Sequence, residues 1–135
     1  MKTHSNNPRF NLPFATVLKV RTAVFFGLFL SQLCPSYIEM VLNWVSKEKR
    51  PVNYRQAADA YHDVRAVSIA CRSDSACLLR SLAVFLLVRM RGGYVSWCTG
   101  VRSQPPFIAH AWVQAEGIGV EERLESKYLQ VLIKV

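Results

Sequence analysis

A chain of 135 residues and 15.3 kDa has room for one hydrophobic core and not for two. With 51% of its residues hydrophobic and 19% charged, it is excluded from the intrinsically disordered class. The net charge of +8 favours acidic partners, whether an acidic peptide, a nucleic acid or a membrane surface. A solvated basic surface accounts for it equally well, because the cations form no solid tract and Arg80, Arg89 and Arg91 lie in or beside a strongly apolar segment.

Met1 to Pro13 is polar and broken by Asn6, Asn7, Pro8 and Pro13, and is expected to be a flexible arm. Phe14 to about Val45 reads as helical, with a break at Cys34-Pro35-Ser36, since proline removes a donor and restrains the residue before it. Within it, Thr22 to Leu33 follows Lys19 and Arg21 in the manner of a signal peptide but carries no A-x-A cleavage site. Bounded by those cations, it falls short of the roughly 20 apolar residues of a spanning helix; a buried or membrane-surface helix is the better expectation. Ser46 to Val52 is a charged connector. Asn53 suits the N-cap of a second helical stretch, Tyr54 to Ile69, where Ala57, Ala60, Tyr61, Val64 and Val67 recur at helical spacing, as core packing requires.

After the polar turn Arg72-Ser73-Asp74-Ser75 comes Cys77 to Met90, apolar on most of its circumference and expected to be a central buried helix that stops at Gly92-Gly93. The pattern then changes to strands: Tyr94 to Val101, Phe107 to Gln114, Ile118 to Glu122 and Tyr128 to Val135. Helices first and strands afterwards predict an α+β fold with a small antiparallel sheet on the Cys77 helix. The organisation expected is an arm over 1–13 and one domain over 14–135, helical over 14–70, with the Cys-bearing helix and the sheet over 71–135.

The four cysteines, Cys34, Cys71, Cys77 and Cys98, have neither CxxC spacing nor a nearby His pair, which argues against zinc. Two disulfides would need an exported protein, so the expected setting is the cytoplasm, with reduced thiols. Cys77 opens the central helix, where unpaired N–H groups stabilise a thiolate and could bind an oxyanion. The competing reading is a small buried hydrophobe, the usual fate of a free cysteine. His110 lies on the apolar strand Phe107-Ile-Ala-His-Ala-Trp-Val113. There it is either a satisfied core histidine or, if the strand passes the start of the helix, the base of a Cys–His pair. A third member would hold the ring, and the carboxylates past the Glu116-Gly117 turn are Glu121, Glu122 and Glu125. A two-residue loop pairs Ala115 with Ile118 and puts Glu121 on the face of His110; a three-residue loop puts Glu122 opposite it. The sequence leaves the loop open.

The strings Cys77-Leu-Leu-Arg-Ser-Leu-Ala, Gly100-Val-Arg, Pro106-Phe-Ile-Ala-His-Ala-Trp-Val113 and the following Gly117 resemble the leader peptidases of lasso-peptide biosynthesis, which have a transglutaminase-like, papain-like cysteine-peptidase fold. The resemblance is strong over about residues 50–135 and loose before that. It implies Cys77 as nucleophile, His110 as base and Glu122 as third member, with Glu standing where the family pattern has Asp. It further implies removal of the leader from a precursor peptide before a separate asparagine-synthetase-like cyclase closes the macrolactam. A small PqqD-like protein would present the leader. No metal, organic cofactor or nucleic acid is implied, and peripheral membrane contact is expected of the apolar front half. Two rivals stand beside this reading: acyl-transfer chemistry of the transglutaminase type on the same fold, and a non-enzymatic basic adaptor.

Overall fold

Proline sets the first boundary. The front half divides into α1 (Phe14–Ser31) and α2 (Pro35–Val45). Pro35 takes the first helical position, where its missing N–H has no intrahelical partner to lose, and Cys34 stands extended before it with ψ 154°. The structure is a computed structural model that describes residues 12–46, 50–122 and 129–135, the side chain of Asp74 excepted. Residues 1–11 of the expected arm, 47–49 of the connector, and Glu125 lie outside the described residues.

Helix α1 begins well before Thr22 and runs through Lys19 and Arg21, both exposed. Its 18 residues make it long and apolar enough, by length and composition only, to cross a membrane. Val20, Ala23, Gly27 and Leu30 are buried, and Gly27 comes up against Leu79 and Ala83 of the central helix. The opposite side exposes Phe14, Leu18, Phe25 and Phe29.

Helix α3 (Tyr54–Val67) starts with a capping box. The Asn53 side chain accepts from the Gln56 N–H at 2.8 Å, and the Gln56 side chain accepts from the Asn53 N–H at 3.0 Å. It ends two residues before the expected Ile69, with Ser68 already extended. Ala57, Ala60 and Val64 are fully buried, as the helical spacing predicts. Two short 3-10 turns, Ala70–Arg72 and Asp74–Ala76, lead into α4 (Cys77–Met90).

Helix α4 lies between α1, α3 and the sheet, and seven of its residues from Ser81 to Val88 are buried. It stops at Gly92-Gly93, where Gly93 N–H donates to Val88 C=O at 3.0 Å and Gly92 N–H to Arg89 C=O at 3.1 Å. The arginines of this apolar segment are structural ties. Arg89 Nε donates to Val45 C=O at the end of α2 at 2.8 Å, and Arg91 pairs with Asp63 of α3 at 2.7 Å.

The sheet is antiparallel with strand order β3-β2-β1-β4. Its strands are β1 (Ser96–Arg102), β2 (Ala109–Ala115), β3 (Ile118–Gly119) and β4 (Leu129–Lys134). Tyr94 does not open β1; it makes a parallel bridge to Pro51 instead. Strand β3 stops three residues short of the expected Glu122. Alternation along the strands sends Trp97, Ala111, Val113 and Ala115 into the large core with α4, and sends Cys98, Trp112 and Leu129 into a small separate cluster on the other face. The architecture is α+β, with the Cys77 helix packed on the sheet.

Candidate active site

The start of α4 is fixed from outside the helix. Ser73 Oγ accepts from the Ser75 N–H at 3.3 Å, capping the turn that delivers the chain to Cys77. One turn into α4, Arg80 reaches back and donates to the carbonyls of Cys71 and Ser73, at 3.1 and 2.9 Å. Its guanidinium also lies over the Tyr61 ring, 5.8 Å from the centroid. These ties hold the entering loop so that the half-buried Cys77 sits in the first turn, where unpaired N–H groups carry partial positive charge.

Strand β2 brings His110 to that point. Paired across the sheet with Gly100, His110 stacks its ring on Trp112 with centroids 5.7 Å apart and planes 16° from parallel. A hydrogen bond from His110 is the largest influence on the Cys77 thiol and lowers its pKa against the opposing effect of burial; the Ala111 backbone N–H and the charges of His110 and Arg80 lower it further. The imidazole responds in the opposite sense. Its hydrogen bonds to Cys77 and then to Glu122 outweigh burial and raise its pKa to about 9. His110 Nε2 lies 2.6 Å from Glu122 Oε2, which leaves Nδ1 for the sulfur. The arrangement favours a thiolate beside an imidazolium, with the Glu122 carboxyl group behind the ring.

The structure brings Cys77, His110 and Glu122 together, and it does so without the three-residue register that selected Glu122 for the β2–β3 hairpin. The loop is the two-residue one. Ala115 pairs with Ile118, and Glu116 and Gly117 have φ of 55° and 75°, the left-handed pair of a type I′ turn. Continued pairing would have put Glu121 on the His110 face. Pairing ends instead at Gly119, apart from one bond from Val120 N–H to Val113 C=O at 2.9 Å. Glu121 then turns left-handed, with φ 54°, and leaves the sheet. Tyr54, the first residue of α3, holds it there. The Tyr54 hydroxyl accepts from Glu121 N–H at 3.1 Å and donates to its carboxylate at 3.4 Å. His62 lies 3.6 Å from the same carboxylate, and Glu116 accepts from the Tyr54 N–H at 3.0 Å. The kink at Glu121 returns Glu122 to the ring.

Three contributors escaped the sequence reading. Trp112 platforms the imidazole, and its place two residues after His110 on the same strand face was the available signal. Gly119 makes room for the Glu122 side chain: a Cβ there would stand 2.9 Å from Glu122 Cγ and 3.2 Å from its Cβ. Tyr54 carried no signal, because its role depends on how α3 meets the hairpin.

Beside Cys77 and His110 opens a cleft of about 370 Å3 with nearly apolar walls, formed by Leu33 before α2, by Pro35 and Ile38 at its start, and by β1 and β4. A second cleft of about 400 Å3, lined by Arg50, Asp59 and Arg91 among others, lies at the opposite end of α4, about 20 Å away by helix length. The remaining cysteines differ from Cys77. Burial raises the pKa of Cys71 and pushes Cys98 up to about 11, while Cys34 is exposed; all four are free thiols. Among the described residues no group of three or more His, Cys, Asp or Glu gathers that could hold a metal ion.

Comparison with curated proteins and with solved structures gives no match. The family model described as the transglutaminase-like superfamily matches residues 20–134, which takes in α1 from its second turn, the Cys77 helix and the whole sheet. The chain belongs to the transglutaminase-like superfamily.

Proposed function

We propose that this protein is a cysteine peptidase that removes the leader from a lasso-peptide precursor, with Cys77, His110 and Glu122 as its triad. The observation that carries the reading is the run of hydrogen bonds from Cys77 through His110 to Glu122 at the start of α4. The CLLRSLA and PFIAHAWV strings supply its substrate side.

The Cys77 thiolate attacks the carbonyl carbon joining leader and core, and the carbonyl π electrons move to oxygen. N–H groups of the first turn of α4 face the developing oxyanion. As the C–N bond breaks, His110 gives its proton to the leaving amine, which departs as the N-terminus of the core. The leader remains as a thioester on Cys77. Water, losing a proton to His110, attacks that thioester; the leader leaves as a free carboxylic acid and the thiolate–imidazolium pair is restored. Glu122 holds the ring orientation and stabilises the imidazolium throughout.

In this reading a separate PqqD-like protein grips the leader and an asparagine-synthetase-like cyclase uses the freed amine. The exposed Phe14, Leu18, Phe25 and Phe29 side of α1 is the surface we assign to docking, with a membrane surface as the alternative occupant. Liposome sedimentation and pull-downs with Phe25→Ser and Phe29→Ser separate the two. The decisive test of the activity is incubation with a lasso precursor, with and without the recognition protein. Free leader acid supports hydrolysis. A leader–amine adduct supports acyl transfer instead, and Cys77-independent function supports the adaptor.

A further inference from the structure

Strand β4 is an edge strand with an irregularity placed at the cleft. Its register on β1 runs Cys98–Lys134 and Thr99–Ile133, then shifts so that Gly100 faces Val131. Leu132 is thus the extra residue of a β-bulge, which bends a strand and re-aims side chains. The bulge is fitted closely: a Cβ at Gly100 would collide with the carbonyl of Gln130 and stand 3.2 Å from the Trp112 ring. Leu132 lines the cleft beside Cys77 although it is 64% exposed. Leu33, Pro35, Ile38 and Leu78 line it as well. An exposed leucine on the rim of an apolar cleft that contains the nucleophile has surface to lose only when something apolar enters.

From this we infer that the cleft is a specificity subsite for an apolar side chain next to the scissile bond, with Leu132 as its specificity-determining residue. The inference rests on Cys77 being the nucleophile. The cleft's volume lies at the small end of the roughly 300–1,000 Å3 of ligand pockets, which suits a side chain of an extended peptide. Its walls offer almost no polar partner, so a polar side chain would give up its hydration there without replacement. The bulge thereby links β4, remote in sequence from the helix start, to the choice of peptide bond.

The test uses two probes of nearly equal shape, N-acetyl-leucine N-methylamide and N-acetyl-asparagine N-methylamide, as protectants of Cys77 against iodoacetamide, with alkylation mapped by mass spectrometry. The leucine probe should protect Cys77 at concentrations roughly ten times lower than the asparagine probe, and Leu132→Gln should erase that difference. Leu132 is exposed, so the substitution leaves the core intact. Equal protection by both probes, protection by neither, or an undiminished preference in Leu132→Gln overturns the subsite while leaving the nucleophile standing. A Cys77 that iodoacetamide does not modify removes the nucleophile reading, and the subsite with it.

Discussion

Cys77 and Cys98 lie at two ends of the same chemistry. Both thiols are largely enclosed, and both sit near β2: Cys77 is hydrogen-bonded by the Ala111 N–H, and Cys98 is paired with Trp112. Around Cys98 are Trp112 and Leu129, with the Lys134 charge too weak to offset burial, and its pKa climbs to about 11. Around Cys77 are an imidazole, a backbone donor, the Arg80 guanidinium and a helix start, and its pKa falls despite burial. Burial alone makes a thiol inert; burial with donors aimed at the sulfur makes it a nucleophile. The two positions lie on opposite sides of one sheet.

Replacement breaks this comparison most sharply. Cys77→Ala should remove leader cleavage, with a loss on the order of 10⁶ in kcat as for other lost nucleophiles, while Cys98→Ala retains most activity in a folded protein. Comparable losses in both variants would place Cys77 in the packing rather than in the chemistry. Next in size is Glu122→Gln, which keeps the shape and removes the charge behind His110. It should reduce kcat by roughly 10²- to 10⁴-fold, with Glu122→Asp restoring much of it and Glu121→Gln near neutral. A large loss confined to Glu121→Gln would transfer the third role to that residue.

Gly119→Ala sharpens the comparison further, because it leaves all three side chains in place and displaces only the carboxylate. A Cβ 2.9 Å from Glu122 Cγ should cost roughly tenfold in kcat, since misplacement by about 1 Å is already costly. Thermal unfolding read beside kcat separates the roles: a Gly119→Ala variant that loses stability in step with activity would mean that the glycine acts on the fold instead. Smallest is Tyr54→Phe, which removes both hydrogen bonds that hold Glu121 out of the sheet. Each is worth about 1 kcal/mol in stability, and the kcat readout should fall by no more than about fivefold, because Glu122 loses order and not its charge.

Much of this was legible before any coordinates. Pro35, Asn53 and Gly92-Gly93 each act on their own stretch of backbone, so the ends of α2, α3 and α4 follow from local chemistry. Cys77 and His110 were legible for a related reason, one opening a helix and the other centred on an apolar strand. The route to Glu122 was not. It depends on the kink at Glu121, and that kink depends on Tyr54, sixty-seven positions earlier, on a helix that meets the hairpin only in three dimensions. Counting register along β3 assumed that pairing continues, whereas a tertiary hydrogen bond ended it. The start of α1 at Phe14 was legible as well, whereas Lys19 and Arg21, read as bounds of its apolar stretch, lie exposed within the helix, where cations cost little.

The most direct test of the central claim is the pH dependence of Cys77 alkylation by iodoacetamide, in a Cys34→Ser background that removes the exposed thiol. Cys77 and His110 titrate as a pair. With the thiol lowered and the imidazole raised to about 9, thiolate beside imidazolium is favoured from the lowered thiol value up to about pH 9. The interaction also contributes stability that is fully present below the ordinary histidine value and is lost as pH rises through about 9. The account predicts a Cys77 rate that levels off at a lower pH than that of an ordinary thiol of pKa about 8.5. Cys98 should stay unmodified throughout. A Cys77 rate that climbs about tenfold per unit through pH 8, in parallel with free glutathione, would contradict it.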